Sequence, residues 1–288
     1  MLTPLLILLS CEMFLGDSGN DETGAKDGND ETGDVTETGD TEEEPEPEWS
    51  YSGETGPEHW GELSEEWSAC GEGTQQSPVD ITQADIELGS GTPPALSWST
   101  TELNAYNPGY YLRYDVDPGS TMTVEGQQYD LVQFHFHGLS EHTVIGEHTD
   151  IEIHFVHTGK DDPTKLAVVA IFAGADAEDG VAGLFDEGGA LRFREAIALP
   201  ESHEPESLGT SVNLGEVFSF AEGSDALTYS GSLTTPPCTE GVQFYLVGTL
   251  LPMLPDDVAA FHALFDYNYR PTQPLNGRKL NMLSPATE

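Results

Sequence analysis

Six of the nine histidines in this 288-residue chain fall within residues 129–157, YDLVQFHFHGLSEHTVIGEHTDIEIHFVH. His135 and His137 stand two apart in the apolar, aromatic run LVQFHFH. Alternate residues of a strand share a face, so both imidazoles point the same way. The run DIEIHFVH has the alternation of a neighbouring strand and carries His154. Three imidazoles from two adjacent strands can meet at one point. Three protein ligands with one position left open is the arrangement of a catalytic zinc, and neutral nitrogen donors suit that borderline-soft ion. Burying the same rings without a ligand would leave polar nitrogens unpaired, which is costly.

Two other readings of these residues stand beside that one. In the first, the histidines are core or surface groups without metal. In the second, His135-x-His137 followed after three residues by Glu141 is the metal half-motif of a cupin. Glu141 would then be a fourth ligand, and iron or manganese the ion. Spacing around the histidines does not separate these readings, so the rest of the chain has to.

The first ten residues, MLTPLLILLS, form an apolar run that ends at Cys11. A helix that crosses a bilayer needs about 20 such residues, so the run reads as a signal peptide. The ending LLSC resembles a bacterial lipoprotein box, in which Cys11 is acylated after cleavage; an ordinary signal cleaved nearby is the other reading. No Lys or Arg precedes the run. Both readings export the protein, to the periplasm or cell surface. Residues 11–48 are acidic and rich in Gly and Thr, repeat NDETG, and close on Pro45 and Pro47. Such a segment cannot bury enough apolar surface to offset its ordering entropy, and is expected to be a disordered tether reaching roughly 35 Å.

Residues 49–288 are long enough for one sizeable domain. That domain is itself strongly acidic within a chain of net charge −43. It should repel nucleic acid and anionic membrane surfaces, leaving a lipid anchor as its one route to a membrane. If Cys11 carries lipid, Cys70 and Cys238 remain, either as a disulfide that an exported protein can keep or as two buried thiols. Strand-like stretches at 110–116, 121–124, 131–137, 151–157, 166–172 and 242–250 are separated by Gly, Pro, Asp and Asn clusters. LAVVAIF is apolar throughout, as in a strand buried on both faces. Helical pattern is sparse, at 256–265 and 180–193. The fold class is mainly β, a large central sheet with peripheral short helices.

Several separated segments together resemble the α-class carbonic anhydrases: WSYSGETGPEHWGELS from Trp49, QQSPVDI from Gln75, QFHFHGLSEHT, EIHFVH, LAVVAIF, YSGSLTTPPCTEGVQF from Tyr229 and NYRPTQPLNGR from Asn268. They span the domain in the family's order. The cupin reading asks for a Gly where Tyr129 stands and for a second metal motif downstream. The resemblance implies a largely antiparallel, twisted sheet of about ten strands with one zinc at the bottom of a cleft. It implies His135, His137 and His154 as ligands, with Gln133, Glu152 and the backbone carbonyl of Asn268 holding their second ring nitrogens. The implied reaction is reversible hydration of CO2 to bicarbonate and a proton by zinc-bound hydroxide. Zinc lowers the pKa of water from 15.7 to about 7, carbonic anhydrase being the reference case. Thr234 Oγ1 would orient the hydroxide and pass its own proton to Glu141, and the Thr234 N–H would meet the developing oxyanion. Thr235 would contact bicarbonate. Val156, Val168, Leu233, Val242 and Phe244 would form the apolar CO2 pocket, with Phe244 where the family usually has Trp.

Tyr110, in NPGY, aligns with the family's proton-shuttle His, and Tyr51 with a Tyr that orders the cleft's water. A free Tyr titrates near 10 and a His near 6.5, so turnover should be slower and more buffer-dependent. His59 and His203 are spare shuttle candidates. His142, His148 and His157 are assigned to structure, with His148 exposed. The bonds Ser77-Pro78 and Pro236-Pro237 match positions that are cis in the family. A binding module on the same fold and a zinc esterase are the competing functions; all three zinc histidines stand, which such binding modules usually lack. Oligomeric state and physiological role are not readable from the residues. Because salt screens self-repulsion in so acidic a domain, the melting temperature should rise as sodium chloride is added, which a thermal scan at increasing salt checks; a fall would refute it.

Overall fold

Leu166–Gly174, the run that reads as a strand covered on both sides, is buried along its whole length. Its odd-numbered residues Ala167, Val169, Ile171 and Ala173 lie in one core, and Leu166, Val168, Ala170 and Phe172 in another. It is the tenth of fifteen strands in the computed structural model, which describes residues 48–175, 196–202, 204–265 and 267–285. The leader, Cys11, the tether up to residue 47, the helical pattern at 180–193 and His203 lie outside the described residues.

In chain order the strands are β1 Asp80–Ile81, β2 Ile86–Leu88, β3 Ala95–Ser97, β4 Thr100–Tyr106, β5 Leu112–Asp115, β6 Thr121–Val124, β7 Gln127–His137, β8 Thr143–Val144, β9 Ile151–Gly159, β10 Leu166–Gly174, β11 Glu206–Asn213, β12 Ala226–Ser232, β13 Glu240–Val247, β14 Leu251–Pro252 and β15 Leu280–Leu283. Among the described residues, thirteen of them form one sheet whose main path runs β11-β4-β5-β7-β9-β10-β13-β12-β15-β2. Neighbours on that path are antiparallel except β10 with β13 and β15 with β2. The expected sheet of about ten mostly antiparallel strands is this path. Several boundaries differ from the sequence reading: β7 opens at Gln127, β9 and β10 run on to Gly159 and Gly174, and β13 opens at Glu240. Tyr110 precedes β5 rather than opening it, and the last expected strand ends at Val247 because Gly248 turns the chain. The helical pattern at 256–265 is the helix Pro255–His262, with proline at its start and Asp256 and Asp257 in the first turn, where the helix dipole favours them.

β7 is where the sheet's two faces are assigned. The register against β9 slips between Leu131 and Gln133, a bulge at Val132. Before the bulge, Tyr129 and Leu131 face the larger core; after it, Phe134 and Phe136 do. The slip turns Gln133, His135 and His137 to the opposite face. Behind them runs an aromatic ladder across three strands and the connection after β3: Tyr114 on Phe134 at 4.9 Å, Phe134 on Phe155 at 5.2 Å, and Phe155 on Trp98 at 4.3 Å. Such pairs contribute about 0.5–1.5 kcal/mol each beyond the area they bury.

His157 sits on the ladder side, as its position three past His154 requires. Trp98 Nε1–H donates to its Nε2 at 3.2 Å, and its Nδ1 donates to the Phe155 carbonyl at 2.9 Å. Both nitrogens are therefore used by the neutral ring. Burial lowers its pKa from 6.5 to about 4, against the opposing pull of the backbone carbonyls. As pH falls, the unfolded chain takes up this proton first. The stability is complete above about 6.5 and drains away between 6.5 and 4, by roughly 3 kcal/mol at about 1.36 kcal/mol per unit. His157→Asn should accordingly flatten the pH dependence of urea unfolding in that window, whatever its baseline stability.

Candidate active site

Antiparallel pairing places His135 directly opposite His154, and His137 opposite Glu152. All four side chains are fully buried. Each ring is held at one nitrogen. His135 Nδ1 donates to Gln133 Oε1 at 2.8 Å, His137 Nδ1 to the Asn268 carbonyl at 2.7 Å, and His154 Nε2 to Glu152 Oε1 at 2.8 Å. These partners are the three that the sequence reading named. A neutral imidazole has one donor nitrogen, so the other nitrogen of each ring carries a lone pair. Those three atoms, His135 Nε2, His137 Nε2 and His154 Nδ1, are the ones left to converge, and the cluster offers one ligand atom per ring within 4.8 Å of one another.

This arrangement fits a cation. His154 Nδ1 and His135 Nε2 face each other at 3.1 Å, two lone pairs that repel unless a positive centre sits between them. His137 Nε2 is buried without a hydrogen-bond partner. Burial lowers the pKa of all three rings, to about 3 for His137, so they stay neutral and able to bind metal. Three nitrogens at 2.0–2.1 Å from a tetrahedral ion would be about 3.3 Å apart, close to the 3.1 Å between His135 Nε2 and His154 Nδ1.

Glu141 stands beside the cluster, its Oε2 3.7 Å from His137 Nε2. Its Oε1 accepts from the Arg270 N–H at 2.8 Å. Glu152 Oε2 accepts from the N–H groups of Glu141 and His142 at 2.7 and 3.2 Å, which carries the Glu141 turn on the carboxylate that also holds His154. Burial raises the pKa of both acids; for Glu141 the Thr234 hydroxyl and Arg270 oppose the rise. Thr234 Oγ1 and Glu141 Oε2 are both buried and face each other closely enough for that influence, yet neither has a partner within hydrogen-bond distance.

Thr234 and Thr235 belong to the loop after β12, closed by Leu233 N–H to the Thr239 carbonyl at 2.9 Å and Cys238 N–H to the Thr235 carbonyl at 2.8 Å. A disulfide joins Cys238 to Cys70. Ser77-Pro78 and Pro236-Pro237 are cis, as expected, and Gly138-Leu139 is cis as well. Val156, Val168, Leu233, Val242 and Phe244 form part of one buried apolar cluster, with Val156, Val168 and Phe244 side by side on β9, β10 and β13. Phe244 stacks on Tyr229 at 5.2 Å. Gly231 is required here, because a Cβ would lie 2.0 Å from Ser77 Oγ and 2.9 Å from the Phe244 ring.

A family model described as eukaryotic-type carbonic anhydrase matches residues 55–283. The chain belongs to the eukaryotic-type carbonic anhydrase family. It is 35% identical over 240 residues to a carbonic anhydrase of Nostoc sp., covering 80% of this chain and 84% of that protein. Its fold matches a hyperthermostable carbonic anhydrase from a hydrothermal vent chimney with a TM-score of 0.71 at 33% identity, over 82% of this chain and 100% of that one. It also matches the Thermovibrio ammonificans α-carbonic anhydrase solved with the inhibitor sulfanilamide, with a TM-score of 0.71 at 34% identity, over 82% and 99%. Family membership removes the cupin alternative.

Tyr110 packs edge-on against Trp49 at 5.0 Å and beside Tyr111 at 5.1 Å, and its carbonyl accepts from Asn268 Nδ2. Tyr51 joins the same aromatic group through Trp49 and Trp60. His59 pairs with Glu62 at 3.5 Å. His148 is half-buried rather than exposed, because it donates to the Ser140 carbonyl and packs on Tyr269. His142 Nε2 meets the Tyr229 hydroxyl at 2.7 Å, a structural contact as expected. Sequence reasoning gave no role to Arg270, Gln76 or Ser77. Their signal was present in QQSPVDI and NYRPTQPL, but only long-range contact shows that the two segments meet. Because Glu152 holds both His154 and the Glu141 turn, Glu152→Gln should weaken metal binding about 10–100-fold in a chelator competition.

Proposed function

We propose that this chain catalyses the reversible hydration of CO2 to bicarbonate and a proton, with zinc held by His135, His137 and His154. The observation that carries the reading is the convergence of three neutral imidazoles whose outer nitrogens are each held by a separate partner. Zinc, when bound there, supplies the Lewis acidity that makes a water molecule available as hydroxide near neutral pH, carbonic anhydrase being the reference case.

The chain's own residues then have distinct tasks. Glu141 has one oxygen taken by the Arg270 N–H, so Oε2 is left to accept the Thr234 hydroxyl proton. Thr234 Oγ1, once it donates to Glu141, can only accept, and so turns the proton of hydroxide aside and a lone pair toward carbon. The Thr234 N–H meets the oxygen that gains charge, and Thr235 contacts bicarbonate. CO2 has no strong dipole to recognise, and the wall of Val156, Val168, Leu233, Val242 and Phe244 receives it by excluding water. Tyr110 stands in an aromatic wall where a proton carrier would be useful, and its phenol is poorly matched to that work. We further read the domain as exported and held at a membrane surface by lipid on Cys11, a reading supported by the Cys70–Cys238 bond, since such bonds persist outside reducing compartments.

The test is CO2 hydration by stopped flow before and after chelation, with zinc returned afterwards: loss and recovery are expected, and activity that survives complete metal removal refutes the reading. Thr234→Ala should lower kcat/KM about 100-fold while the protein keeps its metal. Tyr110→His should raise kcat several-fold in dilute buffer and little in concentrated buffer; an unchanged kcat in dilute buffer overturns the assignment.

A further inference from the structure

Arg270 is fully buried and its guanidinium has no carboxylate among its hydrogen-bond partners. Nη1 donates to Gln76 Oε1 and the Ser77 carbonyl, both at 2.8 Å, and Nη2 to the Cys70 carbonyl at 2.7 Å. A cation taken from water and given only uncharged acceptors costs stability, and a chain that keeps one does so for position. What the acceptors hold shows the position. Ser77 and Ser232 exchange hydrogen bonds, N–H to Oγ in each direction, at 3.0 and 3.1 Å. Gln76 Nε2 donates to the Cys238 carbonyl at 3.0 Å. Ser232 and Cys238 are the two ends of the loop that carries Thr234. The backbone N–H of Arg270 itself fixes Glu141 Oε1.

We propose that Arg270 is a positioning residue for the Thr234–Glu141 pair: its backbone sets the acceptor, and its guanidinium, through Gln76 and Ser77, clamps both ends of the loop that carries the donor. The inference rests on the reading of Thr234 and Glu141 given above. The two buried atoms that must meet for hydroxide to be oriented are Glu141 Oε2, whose carboxyl the Arg270 N–H holds, and Thr234 Oγ1, on the loop whose ends Gln76 and Ser77 hold. Burial lowers the Arg270 pKa only to about 10, with Glu141 pulling it back up, so the guanidinium is charged at neutral pH; Nη1 and Nη2 carry its hydrogen bonds, and Nε is buried without a partner.

The experiment uses the zinc-loaded protein and Arg270→Lys, which keeps the charge and loses the planar fork. Expected are a fall in kcat of about tenfold with KM for CO2 little changed, and exchange of the Leu233 and Cys238 amides at least several-fold faster, with β9 and β10 amides unmoved. In a Thr234→Ala background, Arg270→Lys should lower kcat by less than about twofold, since the pair it positions is gone. An equal loss in both backgrounds, or unchanged exchange at Leu233 and Cys238, overturns the proposal. If Arg270→Lys fails to fold, Gln76→Ala removes the acceptor shared by Arg270 and Ser232 and is read in the same way. Full activity in Thr234→Ala alone would refute the mechanism proposed above, and the amide exchange would still decide whether Arg270 holds the loop.

Discussion

The choice of tautomer in three imidazole rings is the constraint on which the rest depends. A neutral ring offers one donor and one lone pair, and whichever nitrogen is engaged from outside decides which faces in. Gln133, the Asn268 carbonyl and Glu152 engage one nitrogen each. They come from β7, a loop far along the chain, and β9. The three lone pairs are thereby aimed at one another before any ion arrives. Burial helps in a second way, because it disfavours the protonated rings that would compete with a metal.

Such aim needs a rigid floor, and the sheet supplies it from the other side. β9 and β10 are covered on both faces, and the aromatic ladder from Tyr114 to Trp98 packs directly behind the histidine strands. The bulge at Val132 reconciles the two demands on β7. Its first half gives odd-numbered residues to the core, and its second half gives odd-numbered residues to the site. Bulges are common beside active sites because one extra residue re-aims every side chain beyond it.

The surface and the interior of this protein follow opposite electrostatic rules. Outside, acidic residues dominate a chain of net charge −43. Inside, Glu141, Glu152 and Arg270 are withdrawn from water, and each is held by backbone or amide groups. Buried charges arranged this way orient neighbours better than they stabilise the fold. Glu152 illustrates it: one oxygen steers a ring, and the other supports the turn that carries Glu141.

Much of this was legible in the residues. Period-two alternation placed His135 and His137 on one face, the doubly apolar LAVVAIF announced the central strand, and the proline before Asp256 marked a helix start. The motifs carried the family, and with it the ligand set and the three ring partners. Local pattern is legible because each strand or turn is decided by a few neighbouring side chains. What the residues alone left undecided was long-range. Nothing near Val132 signals a register slip, since a bulge depends on how the partner strand pairs. Nothing near His148 shows Tyr269 covering it. The role of Arg270 is invisible until segments about 200 residues apart are brought together. The sequence by itself determined which chemical groups exist and which strand faces they share. Only the tertiary structure decided which groups meet, because hydrogen bonds and burial act across space between segments whose separation along the chain carries no record of their contact.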